Sequence, residues 1–151
     1  VLNKKNNHSN TRVIRYMEIG EMLFDSCNTC SLATSEIGGL GWKFNGKVLD
    51  GFGLGDPDAV KFHPLKVPEQ RSHSAIGAIP PGYIKLKNPD FIVSMPIFIE
   101  YAQKSGMLQN YHKYSCNIFS DRSPLWGSPY IQIFSKHELD QKNLDLANCN
   151  G

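Results

Sequence analysis

The pattern of apolar and polar residues predicts helices and short strands that follow one another along the chain. In residues 12–26 the apolar side chains recur every three or four positions, which is the period of one helix face. Three shorter runs have an apolar centre and two alternate, as buried and half-buried strands do. These five predicted strands are 30–36, 47–51, 91–95, 111–119 and 129–136.

Residues 37–44 allow two interpretations. Asn45 and Gly46 favour a hairpin turn that would pair 40–44 with 47–51. The same two residues can also end a short helix over 37–44 in the left-handed conformation. We prefer the helix, because it makes the strands on either side of it a compact βαβ unit.

Further helices are predicted over 57–62, within 79–90 and over 96–106, where prolines mark each beginning. The run 91–95 is expected to be the central strand. The sequence therefore predicts an α/β fold, a small three-layer sandwich whose parallel sheet has a mixed C-terminal edge.

The polar character of both ends predicts where the domain stops. Residues 1–11 are expected to be a disordered or linker segment, 12–137 a single α/β domain, and 138–151 a flexible tail. Residues 63–78 have no clear period and are predicted to form a long irregular loop. The longest apolar run, 91–99, is too short for the ~20 residues of a membrane span.

Composition and charge exclude some classes of function. The 151 residues are 40% hydrophobic and 20% charged, which is typical of a globular chain. The formal net charge of +2 is too small to indicate a nucleic-acid partner.

Glycines at 38, 39 and 41 follow the first predicted strand, as in many nucleotide sites. Their spacing fits neither the Rossmann turn nor the P-loop, and Glu36 in front of them would repel a phosphate. We expect them to let a short helix lie close to the sheet, and Gly20 to do the same for the first helix.

Two acids lie at or near the ends of neighbouring predicted strands and are the best candidates for a ligand crevice. Glu36 and Asp50 would lie at carboxyl ends of strands, where α/β folds bind ligands. The alternative is that each only caps a helix or turn. His63 and Arg71, in the long loop, are further candidate ligand-binding residues. No catalytic residue, metal site or cofactor is predicted.

The four cysteines allow several interpretations. Cys27 and Cys30 have the spacing of a redox motif or half a zinc site, whereas Cys116 and Cys149 stand alone. A zinc site of the common kind needs a second close pair, and a redox motif should open a helix rather than follow one. Structural disulfides and free thiols also remain open.

Several short stretches occur in an order that resembles a known family. They are Glu36 to Trp42, Leu49-Asp50, Gly53-Leu54, Pro57-Asp58 and Pro89-Asp90. With these stretches the region 13–119 resembles the C-terminal soluble domain of bacterial multi-pass membrane glycosyltransferases, which are similar to dolichyl-phosphate-mannose–protein mannosyltransferases and use polyprenyl-phosphate sugars. Asn88 stands where that pattern has a basic residue.

The resemblance implies an accessory domain on the periplasmic side of a bacterial inner-membrane enzyme. Its expected partners are its own membrane-embedded part, which holds the catalytic acid, and a sugar or acceptor ligand. An oxidising compartment would permit a Cys27–Cys30 disulfide, with Cys116 and Cys149 free or paired. The alternatives are a free-standing small-ligand-binding protein or enzyme, and a purely structural module.

Overall fold

The computed structural model describes residues 8–65, 78–118 and 129–151. Its helices and strands alternate through most of the chain. In chain order they are α1 (His8–Ser26), β1 (Ser31–Thr34), α2 (Ile37–Lys43), β2 (Lys47–Asp50), α3 (Pro57–Val60), α4 (Pro81–Lys87), β3 (Phe91–Ser94), α5 (Pro96–Lys104), β4 (His112–Asn117), β5 (Tyr130–Ser135), α6 (Gln141–Leu146) and β6 (Cys149–Asn150).

The strands form one mixed sheet in the order β2-β1-β3-β5-β4-β6. β2, β1 and β3 run parallel, whereas β5 is antiparallel to β3 and to β4, and β6 is antiparallel to β4. The predicted fold class, a parallel sheet with a mixed C-terminal edge, is confirmed.

The helix over 37–44 is confirmed and the hairpin alternative is wrong. α2 connects β1 to β2, which pair in parallel with Ala33 opposite Leu49. A hairpin would have made the second strand antiparallel. The crossover is short because about two turns of helix and two short loops are enough to return the chain to the start of β2.

Helices cover both faces of the sheet, so the core has two parts. Val93 packs on the face that is covered by α1, α2 and α6, and Ile92 packs on the face of α3, α4 and α5. Both side chains are fully buried in β3, which has a neighbour on each side. The prediction of a central strand that is buried on both faces is confirmed.

Glycines bring α1 and α2 into backbone contact. A Cβ added at Gly20 would lie 2.7 Å from the carbonyl oxygen of Leu40, and one at Gly39 would lie 2.5 Å from that of Val13. Real Cβ atoms do not approach backbone atoms so closely. The expectation that glycine permits close approach is supported, but the neighbour is another helix and not the sheet.

The C-terminal segment 138–151, expected to be a flexible tail, is a helix and an edge strand. The Asp140 side chain accepts hydrogen bonds from two amides of the first turn of α6, and Leu144 of that helix is buried. Cys149 of β6 is joined by a disulfide to Cys116 of β4. A cap, a buried anchor and a covalent bond hold this polar segment on the sheet.

The N-terminal segment also differs from its prediction, because α1 begins at His8 and not at residue 12. Residues 1–7, and most of the predicted loop 63–78, lie outside the described residues. Within the described ranges, no helix combines the length and hydrophobicity that a membrane span requires.

Candidate functional site

Glu36 lies just after β1 and is bound by α1. The hydroxyl of Tyr16 donates a hydrogen bond of 2.7 Å to Oε2, and Arg12 Nη2 lies 3.2 Å from Oε1. Burial, and next the adjacent Glu36, raise the pKa of the Tyr16 phenol. The Glu36 side chain makes no capping hydrogen bond to α2. This carboxylate therefore fastens α1 to the carboxyl end of β1.

Asp50 ends β2 and closes the loop that follows it. Its Oδ1 accepts a hydrogen bond of 2.9 Å from the amide of Phe52, and its Oδ2 accepts one of 2.6 Å from the amide of Gly55. The residue is only 5% exposed. These contacts match the capping interpretation, because both carboxylate oxygens are satisfied by the chain's own backbone.

Of the other two candidate residues, one lies near Asp50 and the other lies outside the described residues. His63 is half-buried, and its Nε2 lies 3.1 Å from the carbonyl oxygen of Gly51, directly after Asp50. Arg71 lies outside the described residues. Glu36 and Asp50 stand at the same edge of the sheet, since Thr34 pairs with Asp50, but they bind different partners.

A row of polar residues that sequence reasoning missed lies at the carboxyl ends of β1 and β3. Here the strand order reverses, because β1 is followed by β2 on one side and flanked by β3 on the other. The hydroxyl oxygens of Ser35 and Ser94 lie 3.4 Å apart across this switch point. α/β sheets bind ligands at such a point.

Gln132 extends this polar row into β5, where it pairs with Ser94. It is 3% exposed, and its Oε1 finds no hydrogen-bond partner among the described residues. An unsatisfied buried acceptor costs about 1–3 kcal/mol, so it marks a place where a donor would bind favourably. Only the even spacing within "YIQIFS" hinted at this glutamine, and the strand order that gives it meaning is not visible in the sequence.

A second polar network ties α3 to α4. The hydroxyl of Tyr83 donates to Asp56 Oδ2 at 2.7 Å, and Lys87 Nζ lies 3.0 Å from the same oxygen and 2.7 Å from Asp58 Oδ2. Lys61 and then Lys87 lower the pKa of Asp58 to about 2. Burial, and next Asp56, raise the pKa of Tyr83. Asp56 also caps α3, as the sequence predicted.

Asp90 connects the amino-terminal ends of β1 and β3. Its Oδ2 accepts hydrogen bonds from the amide and the hydroxyl of Ser31, at 2.8 and 3.0 Å. Burial alone would raise the pKa of this carboxyl, but the bonds from Ser31 and the nearby Lys136 outweigh it and lower the pKa. Both disulfides, Cys27–Cys30 beside this corner and Cys116–Cys149 across the far edge, are formed.

Comparisons of the chain with protein-family models, with curated proteins and with solved structures found no match.

Proposed function

We propose that this chain is an extramembrane accessory domain of a polyprenyl-phosphate-sugar-dependent membrane glycosyltransferase. It would lie on the periplasmic side of a bacterial inner membrane, stabilise the membrane-embedded part and assist recognition of the sugar or the acceptor. One observation carries the proposal: in the stretches that resemble that family, the acids have structural partners, and two large apolar side chains, Trp42 and Leu54, are exposed.

The acids of those stretches are engaged in holding the fold. Glu36 binds α1, Asp50 closes its own loop, Asp58 binds lysines of α3 and α4, and Asp90 binds the first residue of β1. A general acid or base must reach a substrate proton directly or through one water. Acids that are already bonded to the chain favour a scaffold over a catalyst.

Two apolar side chains of the same stretches point to contact with another protein surface. Trp42 on α2 is 74% exposed, and Leu54 in the loop after β2 is 83% exposed. Both belong to the segment around β2, which is an edge strand of the sheet. Large exposed apolar residues that flank a sheet edge are suited to docking on a partner.

The disulfides fit the compartment that the proposal requires. Structural disulfides are common in the periplasm and rare in the reducing cytosol. Cys116 and Cys149 are fully buried and join two neighbouring strands, so this bond is part of the core.

The gene upstream of Val1 provides the first test. We expect about eight or more apolar stretches of ~20 residues to precede this chain in the same reading frame. A reading frame that begins near Val1 would overturn the proposal. The purified chain, incubated with polyprenyl-phosphate sugars and candidate acceptors, should transfer no sugar.

A variant of the full-length protein provides the second test. Changing Trp42 and Leu54 to Ala should lower the activity or the thermal stability of the detergent-solubilised enzyme. The isolated chain with the same changes should unfold at the wild-type temperature, because neither side chain is buried. Leu146→Ala is the matched control, since Leu146 is 75% exposed but lies on α6. If Leu146→Ala lowered the activity or the thermal stability of the full-length enzyme equally, Trp42 and Leu54 would not form a docking surface.

A second candidate function, binding of a small polar ligand, is favoured by the buried Gln132 acceptor beside Ser35 and Ser94. Neutral monosaccharides are suitable probes because their hydroxyls can donate to such an acceptor. A rise in melting temperature with one of these sugars, abolished by Gln132→Leu but not by Leu146→Ala, would support this function. No shift with any sugar at 10 mM, roughly ten times a weak Kd, would remove it.

A further inference from the structure

Three metal-ligating side chains meet at the end of the sheet opposite to the candidate crevice. Cys30 precedes β1, Asp90 precedes β3, and His137 follows β5. Because β5 is antiparallel to β3, its carboxyl end lies beside the amino ends of the parallel strands. The Cys30 sulfur, a carboxylate oxygen of Asp90 and a ring nitrogen of His137 all lie within 4.8 Å of one another.

A fourth ligand is attached to this cluster by a covalent bond. Cys27 is joined to Cys30 by the disulfide of the CNTC motif, so its sulfur lies beside the other three groups. In the disulfide neither sulfur can act as a thiolate ligand. In the dithiol form the corner would offer two thiolates, one imidazole and one carboxylate, which is the number that tetrahedral zinc requires.

The spacing of the groups fits zinc after small side-chain movements. Tetrahedral coordination with Zn–S of ~2.3 Å and Zn–N of ~2.1 Å places the ligand atoms about 3.6 Å apart. The upper limit of 4.8 Å in the cluster must therefore shrink by roughly 1 Å. Cys27 is half-buried and His137 is exposed, so these two side chains have room to rotate.

The remaining ligand, Asp90, is already oriented by the fold. Its Oδ2 is held by the amide and the hydroxyl of Ser31, whereas the one contact of Oδ1 with the described residues is Lys136 Nζ at 4.0 Å. When one oxygen of a carboxylate is held by hydrogen bonds, the other oxygen points in a fixed direction. Outer-shell hydrogen bonds orient the ligands of metal sites in this way. Lys136 also donates to the carbonyl oxygen of Asn88, which can keep its ammonium away from the metal.

The surroundings of His137 favour a cation and give it access. A cavity of about 560 Å³ adjoins the histidine and Cys27. Three carboxylates line it, those of Asp25, Glu138 and Asp140. Negative charge around an open cavity raises the local concentration of cations.

We propose that this corner is a redox-gated zinc site with four ligands: Cys27, Cys30, Asp90 and His137. A dithiol reductant passes two electrons and two protons to the disulfide, leaves as a cyclic disulfide, and produces two thiols. Zn²⁺ then binds the two sulfurs and releases both thiol protons. A disulfide oxidant that accepts two electrons from the thiolates and two protons from solvent becomes two thiols, re-forms the Cys27–Cys30 bond and expels Zn²⁺. This site is independent of the accessory function proposed above.

The other disulfide makes selective reduction feasible. Cys116 and Cys149 are both fully buried, whereas Cys27 is half-buried next to an open cavity. A water-soluble phosphine, which takes up one water and becomes a phosphine oxide for each disulfide it reduces, should therefore reach Cys27–Cys30 first. Thiol counting on the folded chain without oxygen should give two thiols.

Cobalt titration of this reduced chain tests the site. We expect one Co²⁺ per chain, with thiolate-to-metal charge-transfer bands in the near ultraviolet and the intense visible bands of tetrahedral cobalt. One equivalent of Zn²⁺ should displace the cobalt and remove both sets of bands. The disulfide form should show neither band at the same concentrations. Failure of the reduced chain to bind either metal at 100 μM would overturn the proposal, because the ~10 kcal/mol of a structural zinc site corresponds to a far lower Kd of roughly 50 nM.

Matched histidine variants identify the third ligand. His137→Ala should weaken cobalt binding at least about tenfold in the reduced chain. His63→Ala is the control and should leave the affinity unchanged, because His63 lies at the opposite end of the sheet. Equal affinities in the two variants would refute the assignment. The assignment would also be refuted if reduction abolished the near-ultraviolet circular dichroism of the chain and zinc did not restore it.

Discussion

The Cys116–Cys149 disulfide should stabilise the fold much more than the Cys27–Cys30 disulfide. It joins β4 to β6 and holds α6 and β6 on the sheet. The perturbation is the double change of Cys116 and Cys149 to Ala, compared with the same double change at Cys27 and Cys30. Each variant removes one disulfide and two sulfur atoms, so the pair is chemically matched.

The expected magnitudes follow from the sequence separations of 33 and 3 residues. The loss of chain entropy on closing loops of these lengths gives about 3.7 kcal/mol for the long loop and about 1.6 kcal/mol for the short one. The gap of about 2 kcal/mol is a lower limit, because the long-range pair is fully buried and its removal also costs packing. For a chain of this size the long-loop variant should melt roughly 7–15 °C lower.

Chemical denaturation without reductant measures both free energies of unfolding, and hydrogen exchange locates the loss. The amides of α6 and β6 should exchange faster in the long-loop variant than those of β3, because the C-terminal segment has few other buried anchors. Equal losses of stability in the two variants would refute the reasoning, as would a loss below about 1 kcal/mol for the Cys116 and Cys149 variant.

Two further predictions concern glycine and pH. Gly20→Ala should destabilise the fold despite the better helix propensity of alanine, because the new Cβ would meet the carbonyl oxygen of Leu40. Gly38→Ala is the control, because its Cβ meets no described atom within 4 Å. In denaturant unfolding the control should be neutral or stabilise the fold by up to about 1 kcal/mol. Burial, and next Asp90, raise the pKa of Tyr111 to about 12, above the value of about 10 in the unfolded chain. The folded state thus holds this proton more tightly, and the resulting stability is complete below about pH 10 and is lost between pH 10 and 12. Tyr111→Phe should flatten the fall of stability in that window, and a fall as steep as in wild type would contradict this cause.

Local patterns were sufficient to predict most of the secondary structure. The strands predicted over 91–95 and 129–136 are observed at Phe91–Ser94 and Tyr130–Ser135, within one residue at each end. Apolar periodicity works here because each element buries a distinct face. The segment 138–151 escaped this logic, because it is polar overall and depends on a bond to Cys116, 33 residues from Cys149.

The candidate site was predicted only in part. Glu36 and Asp50 lie at the carboxyl ends of parallel strands, as expected. The pattern could not reveal that the Glu36 carboxylate is already bound by Tyr16 and Arg12. These partners come from a helix that precedes the strand, and their contact depends on how α1 crosses the sheet. The meaning of Gln132 depends on strand order, which is a property of the whole fold.

The position of β5 orders the pairing of the four cysteines as the chain is made. β5 follows β4 along the chain but lies between β3 and β4 in the sheet. β4 therefore cannot join the sheet in its native place until β5, which ends at residue 135, has been synthesised. In a chain that enters an oxidising compartment amino end first, Cys27 and Cys30 are the first two of these four cysteines to emerge and can close with each other before Cys116 arrives. Of the three pairings that four cysteines allow, emergence in this order favours the native one.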